Sequence, residues 1–464
     1  MMFDAQTYIE RRKRLKEKVG SGSILLLGNE ESSVNFKDNW YHYRQDSSFL
    51  YYFGITLPGL VGVLNCDTNE EIIFGDELTI DQIIWTGPQP TIAQLANKCG
   101  VDTTLPTTKI TNFLQGLVHY LPPYRTENQL KISEWLGAPM NFIHKGASVD
   151  LIKAIIDMRS YKTAAELIEI EKAVDITADM HLNAMRYAKA GMLEAEVVGK
   201  LHQIATSGGG NLSFPVILSK DGQILHNHYH GNVLNEGDMV LCDAGAETSM
   251  GYAGDMTRTF PVGEKFTAQQ KELYQIVLNA HESAITALKP GIKYRDVHLL
   301  ASKTLVEGLI AVGLMKGSAE EAVNAGAHTL FFQCGLGHMM GLDVHDMEDL
   351  GEQYVGYTDT FTKSTDFGLK SLRLGKAVEK DFVLTVEPGI YVIPELIDMW
   401  KAEKKHHTFV NYDVLETYRN FGGIRIEEDF VITASGSRLL GKPVPKTIEE
   451  IEQVRAESLA AGNG

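Results

Sequence analysis

Cysteine is scarce in this chain. Four residues, Cys66, Cys99, Cys242 and Cys334, are scattered over 464 positions with no CxxC pair among them. That argues against a disulfide framework or a thiolate zinc knuckle and suits reduced thiols in a cytosol. Long apolar runs are missing as well. The longest, such as SILLLG at 23–28, have strand length and cannot span a bilayer. The opening residues MMFDAQTYIE pass straight into a charged helical pattern, with no apolar h-region or cleavage site, so no secretory leader is expected. Surplus positive charge is lacking too. The formal net charge is −17, which argues against nucleic acid or an anionic membrane as the main partner. No low-complexity tract or short-period repeat is evident, which argues against a solenoid.

What is present is an ordinary globular composition, 44% hydrophobic, on a chain long enough for two domains. Residues 8–19 read as a helix. Its basic cluster of Arg11, Arg12, Lys13, Arg14, Lys16 and Lys18 is expected to be a solvated face. Short β-like runs follow (SILLLG, SSFLYYFGI, LVGVLNC, EEIIFG), then helical patterns near 91–99, 110–121 and 128–135. The aromatic segment RQDSSFLYYFG at 44–54 is expected to be mostly a buried central strand. This mixture makes residues 1–160 a small α/β domain, with the boundary expected within 158–163.

Residues 161–464 would form the second domain of an α+β protein. Thr163 and Glu166 make a T-x-x-E capping box at the head of a long helix reaching about residue 190. A second helix (194–205), β-rich sequence, and helices at 267–288 and 294–312 follow. A polar, irregular insertion occupies about 347–380. Two strands, FVLTVEPGIYVI and FGGIRIEEDFVIT, precede a final helix opened by the capping box of Thr447 and Glu450.

The chemistry gathers around GLGHMMGLDVHD at 335–346, where His338 and His345 lie among glycines that allow close backbone approach. Acids stand in similar strand-like settings before and after it. Asp243 follows the apolar run MVLC. Asp255 comes twelve residues later, a spacing that fits neighbouring antiparallel strands. Glu387 ends FVLTV, and Glu427 follows GIRI. An acid buried at the end of an apolar strand must be paired, protonated or metal-bound. Each alone could be a surface residue; five such positions with glycine neighbours argue otherwise. Four carboxylates and one imidazole suit divalent Mn²⁺, Co²⁺ or Zn²⁺. Their charge nearly balances two such ions, and a hydroxide bridging the two would serve as nucleophile. In LHNHYHGN, alternate spacing would place His226, His228 and His230 on one strand face, which would suit a separate metal site; the favoured alternative is that one of them serves the active site and the others are polar loop residues.

The motifs DAGAE…GYAGDMTRTFPV, GLGHMMGLDVHD, TVEPGIYVIP and GIRIEED resemble the metal-site motifs of the pita-bread metallopeptidases, and most of all their Xaa-Pro dipeptidase (prolidase) and aminopeptidase P members. The resemblance spans essentially the whole chain. RQDSSFLYYFG is similar to a motif of the aminopeptidase P-type N-terminal domain, so a pita-bread catalytic domain behind that domain is implied. It also implies an exopeptidase with two divalent ions, Mn²⁺ first, acting on small peptides with proline in second position. Asp243 would ligate one ion, and Asp255 and Glu427 would bridge both. His338 and Glu387 would complete the other shell, Glu387 also accepting a proton. His226 and His345 would contact substrate and stabilise the tetrahedral intermediate. Arg425 would support the site, or orient Glu427 through a bidentate pair. Arg373 matches the prolidase arginine that grips a free C-terminal carboxylate, and a solvated insertion residue is its alternative. This favours a dipeptidase, with an aminopeptidase acting on longer peptides, or a non-catalytic peptide-binding homologue, behind it. The family further implies a cytoplasmic homodimer in which an aromatic such as Trp85 reaches a neighbour's site.

Two departures from the family pattern stand out. Cys334 occupies a position, four before His338, where many members carry histidine. NLSFPVILSKDG, ahead of His226, lacks a tyrosine usual there, which would thin the support of a ligating aspartate.

Overall fold

The computed structural model describes residues 3–461. The chain forms two compact units, residues 1–159 with 347–354, and residues 160–346 with 355–464. Among the described residues no helix is long and apolar enough to cross a membrane.

The first unit is built on a mixed sheet in the order β4-β3-β2-β1-β5: β1 (Ser23–Leu27), β2 (Val61–Asn65), β3 (Glu71–Phe74), β4 (Thr103–Leu105) and β5 (Val118–Tyr120). β1–β2 and β2–β3 are antiparallel, while β3–β4 and β1–β5 are parallel. Alternate residues of these strands, Val61 and Val63, Ile72 and Phe74, enter one core with Leu25, Ile110 and Tyr120.

Three expectations fail in this unit. RQDSSFLYYFG is not a strand. Residues Ser47–Phe53 form a helix, α2, following α1 (Ala5–Val19). The Asp46 carboxylate caps it by accepting from the Phe49 amide at 2.8 Å, and Gly54 ends it at φ 63°. All seven of its residues are buried, so no amphipathic period betrays a helix. The basic face of α1 is only partly solvated, because Arg11, Arg12 and Lys16 are buried. Arg12 pairs with Glu71 at 2.7 Å and donates to the Tyr52 and Cys99 carbonyls at 2.9 and 3.0 Å. The expected helix at 110–121 is a 3-10 turn, Thr107–Phe113, followed by β5. Gly116 at φ 77° separates them, and β5 pairs with β1.

In the second unit the helix Ala164–Tyr187 starts at the Thr163–Glu166 capping box as its sequence dictates. Glu194–Ser207, Ala268–Ala287, Tyr294–Ala311 and Ile448–Ala461 are the other long helices. Its sheets are small. β6 (Asn211–Leu212) pairs with β9 (Ala246–Glu247). β8 (Met239–Asp243) lies between β7 (Ile217–Ser219) and β10 (Thr257–Pro261). Each strand expected near the C-terminus is two. FVLTVEPGIYVI divides into β11 (Val383–Val386) and β12 (Gly389–Tyr391), and FGGIRIEEDFVIT into β13 (Gly423–Arg425) and β14 (Glu428–Ile432). β11 pairs with β14, which also holds β15 (Ser437–Leu439), whereas β12 pairs with β13. Glu387 and Glu427 thus sit where the chain passes from one sheet to another. His226, His228 and His230 are not on a strand face; they lie in a turn and the irregular segment after it.

Candidate functional site

Strand ends bring the acids together. Asp243 closes β8 and is paired in register with Thr257, while Asp255 lies in the connection just before β10. A single antiparallel bridge joins Thr257 to Glu427, and the Glu427 amide donates to the Thr257 carbonyl at 3.1 Å. The glycine-rich segment aligns along β11 through the Met339–Leu384 bridge, and the Thr385 amide donates to the His338 carbonyl at 3.0 Å. Gly337 permits this, since a Cβ there would lie 2.2 Å from the Thr385 carbonyl oxygen.

The result is a buried group. Asp255, His338 and Glu427 each offer one donor atom within 4.8 Å of the others. His338 Nε2 is 3.5 Å from Asp255 Oδ2 and 3.5 Å from Glu387 Oε1. Asp243 is buried beside them, and one of its oxygens accepts from Arg425 Nη2. A cavity of about 210 Å³ opens onto all five residues, and His226, His345, Arg373, Arg425 and Cys334 also line it. The imidazoles of His338 and His345 meet at 67° with centroids 4.3 Å apart.

Taken without a cation, this array is electrostatically unfavourable. Burial, and then the Asp243 charge, pushes Asp255 up to about 8. Burial raises Glu387 despite His338 and Arg425. Glu427 is held well above the usual carboxylate range by burial and by Asp255, Glu387 and Asp243. Asp255 Oδ1 is buried without a hydrogen-bond partner among the described residues. His338 Nδ1 faces the Met339 carbonyl at 3.0 Å, which fixes a proton there and turns Nε2 toward the carboxylates. An orphaned carboxylate oxygen, an imidazole nitrogen and several anions in one place are what a divalent cation requires, so the donor set fits a metal centre.

Several supporting residues escaped the sequence reading. The Thr257 hydroxyl donates to Glu427 Oε2 at 2.7 Å and accepts from Arg425 Nε at 3.1 Å. Thr385 Oγ1 accepts from the His338 amide at 3.1 Å. Asp429 Oδ2 accepts from the Asp255 amide at 3.1 Å. Tyr391 accepts from Arg425 Nη1 at 2.8 Å. Arg425 therefore orients Asp243 directly and reaches Glu427 only through Thr257. It also gives Asp243 a partner where the tyrosine before His226 is missing. The Cys334 thiol contacts the Tyr391 hydroxyl at 3.8 Å, and burial and Glu387 push it up to about 12, so it stays protonated. His226 is lowered, first by burial and then by Arg425, which keeps it neutral.

The fold and this site define a candidate metal-dependent enzyme built on small sheets, with the donors at or beside their strand ends. The sequence profile of metallopeptidase family M24 matches residues 169–434, and that of the aminopeptidase P N-terminal domain matches residues 8–122. The chain belongs to metallopeptidase family M24. It is 34% identical to the Xaa-Pro dipeptidase of Homo sapiens, over 96% of this chain and 91% of that protein. It is 32% identical to the Xaa-Pro aminopeptidase of Escherichia coli, over 96% and 97%. The solved structure of E. coli aminopeptidase P with the inhibitor Pro-Leu superposes with a TM-score of 0.81 at 30% identity, covering 99% of this chain and 100% of that one. The pita-bread architecture behind an aminopeptidase P-type N-terminal domain, expected from the motifs, is thereby established.

Proposed function

We propose that this metallopeptidase hydrolyses Xaa-Pro bonds as a dipeptidase, with two divalent ions, Mn²⁺ first and Co²⁺ or Zn²⁺ as alternatives. The observation that carries the reading is that Arg373 lines the same cavity as the five donors. A guanidinium there suits the free carboxylate of a dipeptide, one residue beyond the scissile carbonyl.

Asp243, Asp255, His338, Glu387 and Glu427 would hold the ions. Bound ions supply Lewis acidity and water activation. Glu387 would accept the proton of the attacking water on a carboxylate oxygen and pass it to the leaving proline nitrogen. His226 and His345 lend ring N–H donors to the developing oxyanion. Arg425 acts behind them on Asp243 and, through Thr257, on Glu427. We assign residues 1–160 and 161–464 to the two domains. We further read the protein as a cytoplasmic homodimer. In support of self-association, the short helix Ile80–Thr86 buries none of its residues and leaves Ile80, Ile84 and Trp85 73%, 72% and 86% exposed.

Aminopeptidase P-type cleavage of longer peptides is the second reading, because relatives of both activities match over almost the whole chain. Rates on one Xaa-Pro dipeptide and one Xaa-Pro-Yaa tripeptide, with and without Mn²⁺, separate the two. Arg373→Ala is expected to impair the dipeptide far more than the tripeptide, and equal losses would favour the aminopeptidase. No cleavage with any of the three metals would sink the enzymatic reading.

A further inference from the structure

Lys162 and Asp346 form an ion pair set apart from the donors. Nζ lies 2.8 Å from Oδ2, and the side chains are only 2% and 1% exposed. A pair this dry contributes little net stability over apolar residues of the same size, because desolvation consumes most of the Coulombic gain. Its effect is better sought in geometry.

Asp346 directly follows His345. Its amide donates to the Met339 carbonyl at 2.8 Å, and its Oδ1 accepts from the Asp343 amide at 3.3 Å. The Gly341 amide donates to the Asp343 carbonyl at 3.0 Å. Residues 339–346 therefore form a closed turn with its two ends joined. Its waist is Gly341, where a Cβ would lie 2.6 Å from Asp346 Oδ2 and 3.0 Å from Lys162 Cε. Met347 follows at φ 63°, a left-handed conformation that a non-glycine residue keeps only where its surroundings over-determine it. Lys162 is itself anchored. Its amide donates to the Asp381 carbonyl at 2.9 Å, and it immediately precedes Thr163, the N-cap of a 24-residue helix. The charge of Lys162 thus ties the turn to a rigid element, and the turn sets the His345 ring 4.3 Å from that of His338.

We infer that the Lys162–Asp346 pair is a positioning device for His345, fixing the ring's placement beside the metal donors without touching substrate. This rests on the reading of His345 as the group that meets the substrate.

The test is the double variant Lys162→Met/Asp346→Asn, which removes both charges at similar volume and keeps an Oδ1 acceptor for the Asp343 amide. Mn²⁺ affinity should stay within about threefold, KM should change little, and kcat should fall about 10–100-fold, the scale expected for a small misplacement of a catalytic group. In a His345→Ala background the same replacement should cost less than about twofold, because groups acting as a unit are not additive. Losses that multiply would overturn the proposal. A second readout needs no turnover. The imidazole Cε1–H resonance of His345, identified by its disappearance in His345→Ala, should move in the metal-free double variant, while that of exposed His202 should not. Gly341→Ala, which crowds the pair sterically, should move the same resonance and serves if the double variant does not fold. An unmoved His345 resonance in the folded variant overturns the inference whatever the enzyme cleaves. Failure of the parent to cleave any Xaa-Pro peptide counts against the proposed function alone.

Discussion

Thr257→Val isolates the support of the candidate metal centre from its donors. The change is isosteric at a residue with no exposed surface, so it opens no cavity. It deletes one hydroxyl that serves two charged groups, donating to Glu427 at 2.7 Å and accepting from Arg425 at 3.1 Å. Hydrogen bonds to charged partners contribute about 1.5–3 kcal/mol each, and a buried group left unsatisfied costs about 1–3 kcal/mol. Part of this returns as Arg425 relaxes onto Tyr391 and Asp243, so a stability loss of about 2 kcal/mol is expected for the metal-free protein. Metal affinity should fall more conspicuously. The donor that stabilises the Glu427 carboxylate is gone, and outer-shell losses of this kind cost about 10–100-fold in affinity. The assay is a competition titration of Mn²⁺ against a chelator, with urea unfolding in chelator as the folding control. An affinity within twofold of the parent, in a protein that unfolds cooperatively, would refute the claim that Thr257 couples Arg425 to the ligand carboxylate.

Other perturbations test the site's charge and the first unit's core. Asp255 is pushed up to about 8, and Glu387 and Glu427 are raised as well, so their folded pKa values exceed the unfolded ones. Such groups add stability at low pH that is lost as pH rises through the folded values. Calorimetry should therefore show the Tm gap between Mn²⁺-loaded and metal-free protein widening from pH 5.5 to about 8.5; a constant or shrinking gap contradicts the assignment. Glu427→Gln should abolish most metal binding and activity, yet make the metal-free protein more stable at pH 8 than the parent, because one buried anion is removed. A metal-free variant less stable than the parent would mean that Glu427 is not under repulsion. Arg12→Met should destabilise the first unit by about 3–5 kcal/mol in urea unfolding, since Glu71 and three carbonyls lose a buried partner. A loss below about 1 kcal/mol would show that the pair is effectively solvated.

Several of these features were legible in the sequence and others were not, for physical reasons. The donor acids stood out because a carboxylate interrupting an apolar run has few cheap explanations. The Thr163 and Thr447 capping boxes also form as their spacing dictates. The helix Ser47–Phe53 stayed hidden because burial on every side erases the period that distinguishes helix from strand. Arg12 stayed hidden because composition treats arginine as surface, whereas here α2 and Glu71 supply its partners. Thr257 and Thr385 are ordinary strand residues by type, and only the bridge to Glu427 and the alignment with His338 reveal what their hydroxyls face. Lys162 and Asp346 are 184 positions apart, beyond any local pattern.

The places where the strand reading broke are also the places where the chemistry sits. FVLTVEPGIYVI and FGGIRIEEDFVIT look continuous because their apolar content is continuous. Each splits at its glutamate, since Glu387-Pro388 and Ile426-Glu427 are where the chain leaves one pairing and enters another. A residue at such a crossing has neighbours on two sheets but is committed to neither ladder, so its side chain can turn into the gap between them. Burial there without a cation is unfavourable, as the raised carboxylates show. The local conflict persists because sheets on both sides hold the backbone fixed. That combination, an expensive group on an over-determined backbone, separates a preorganised metal centre from a chance cluster of surface acids.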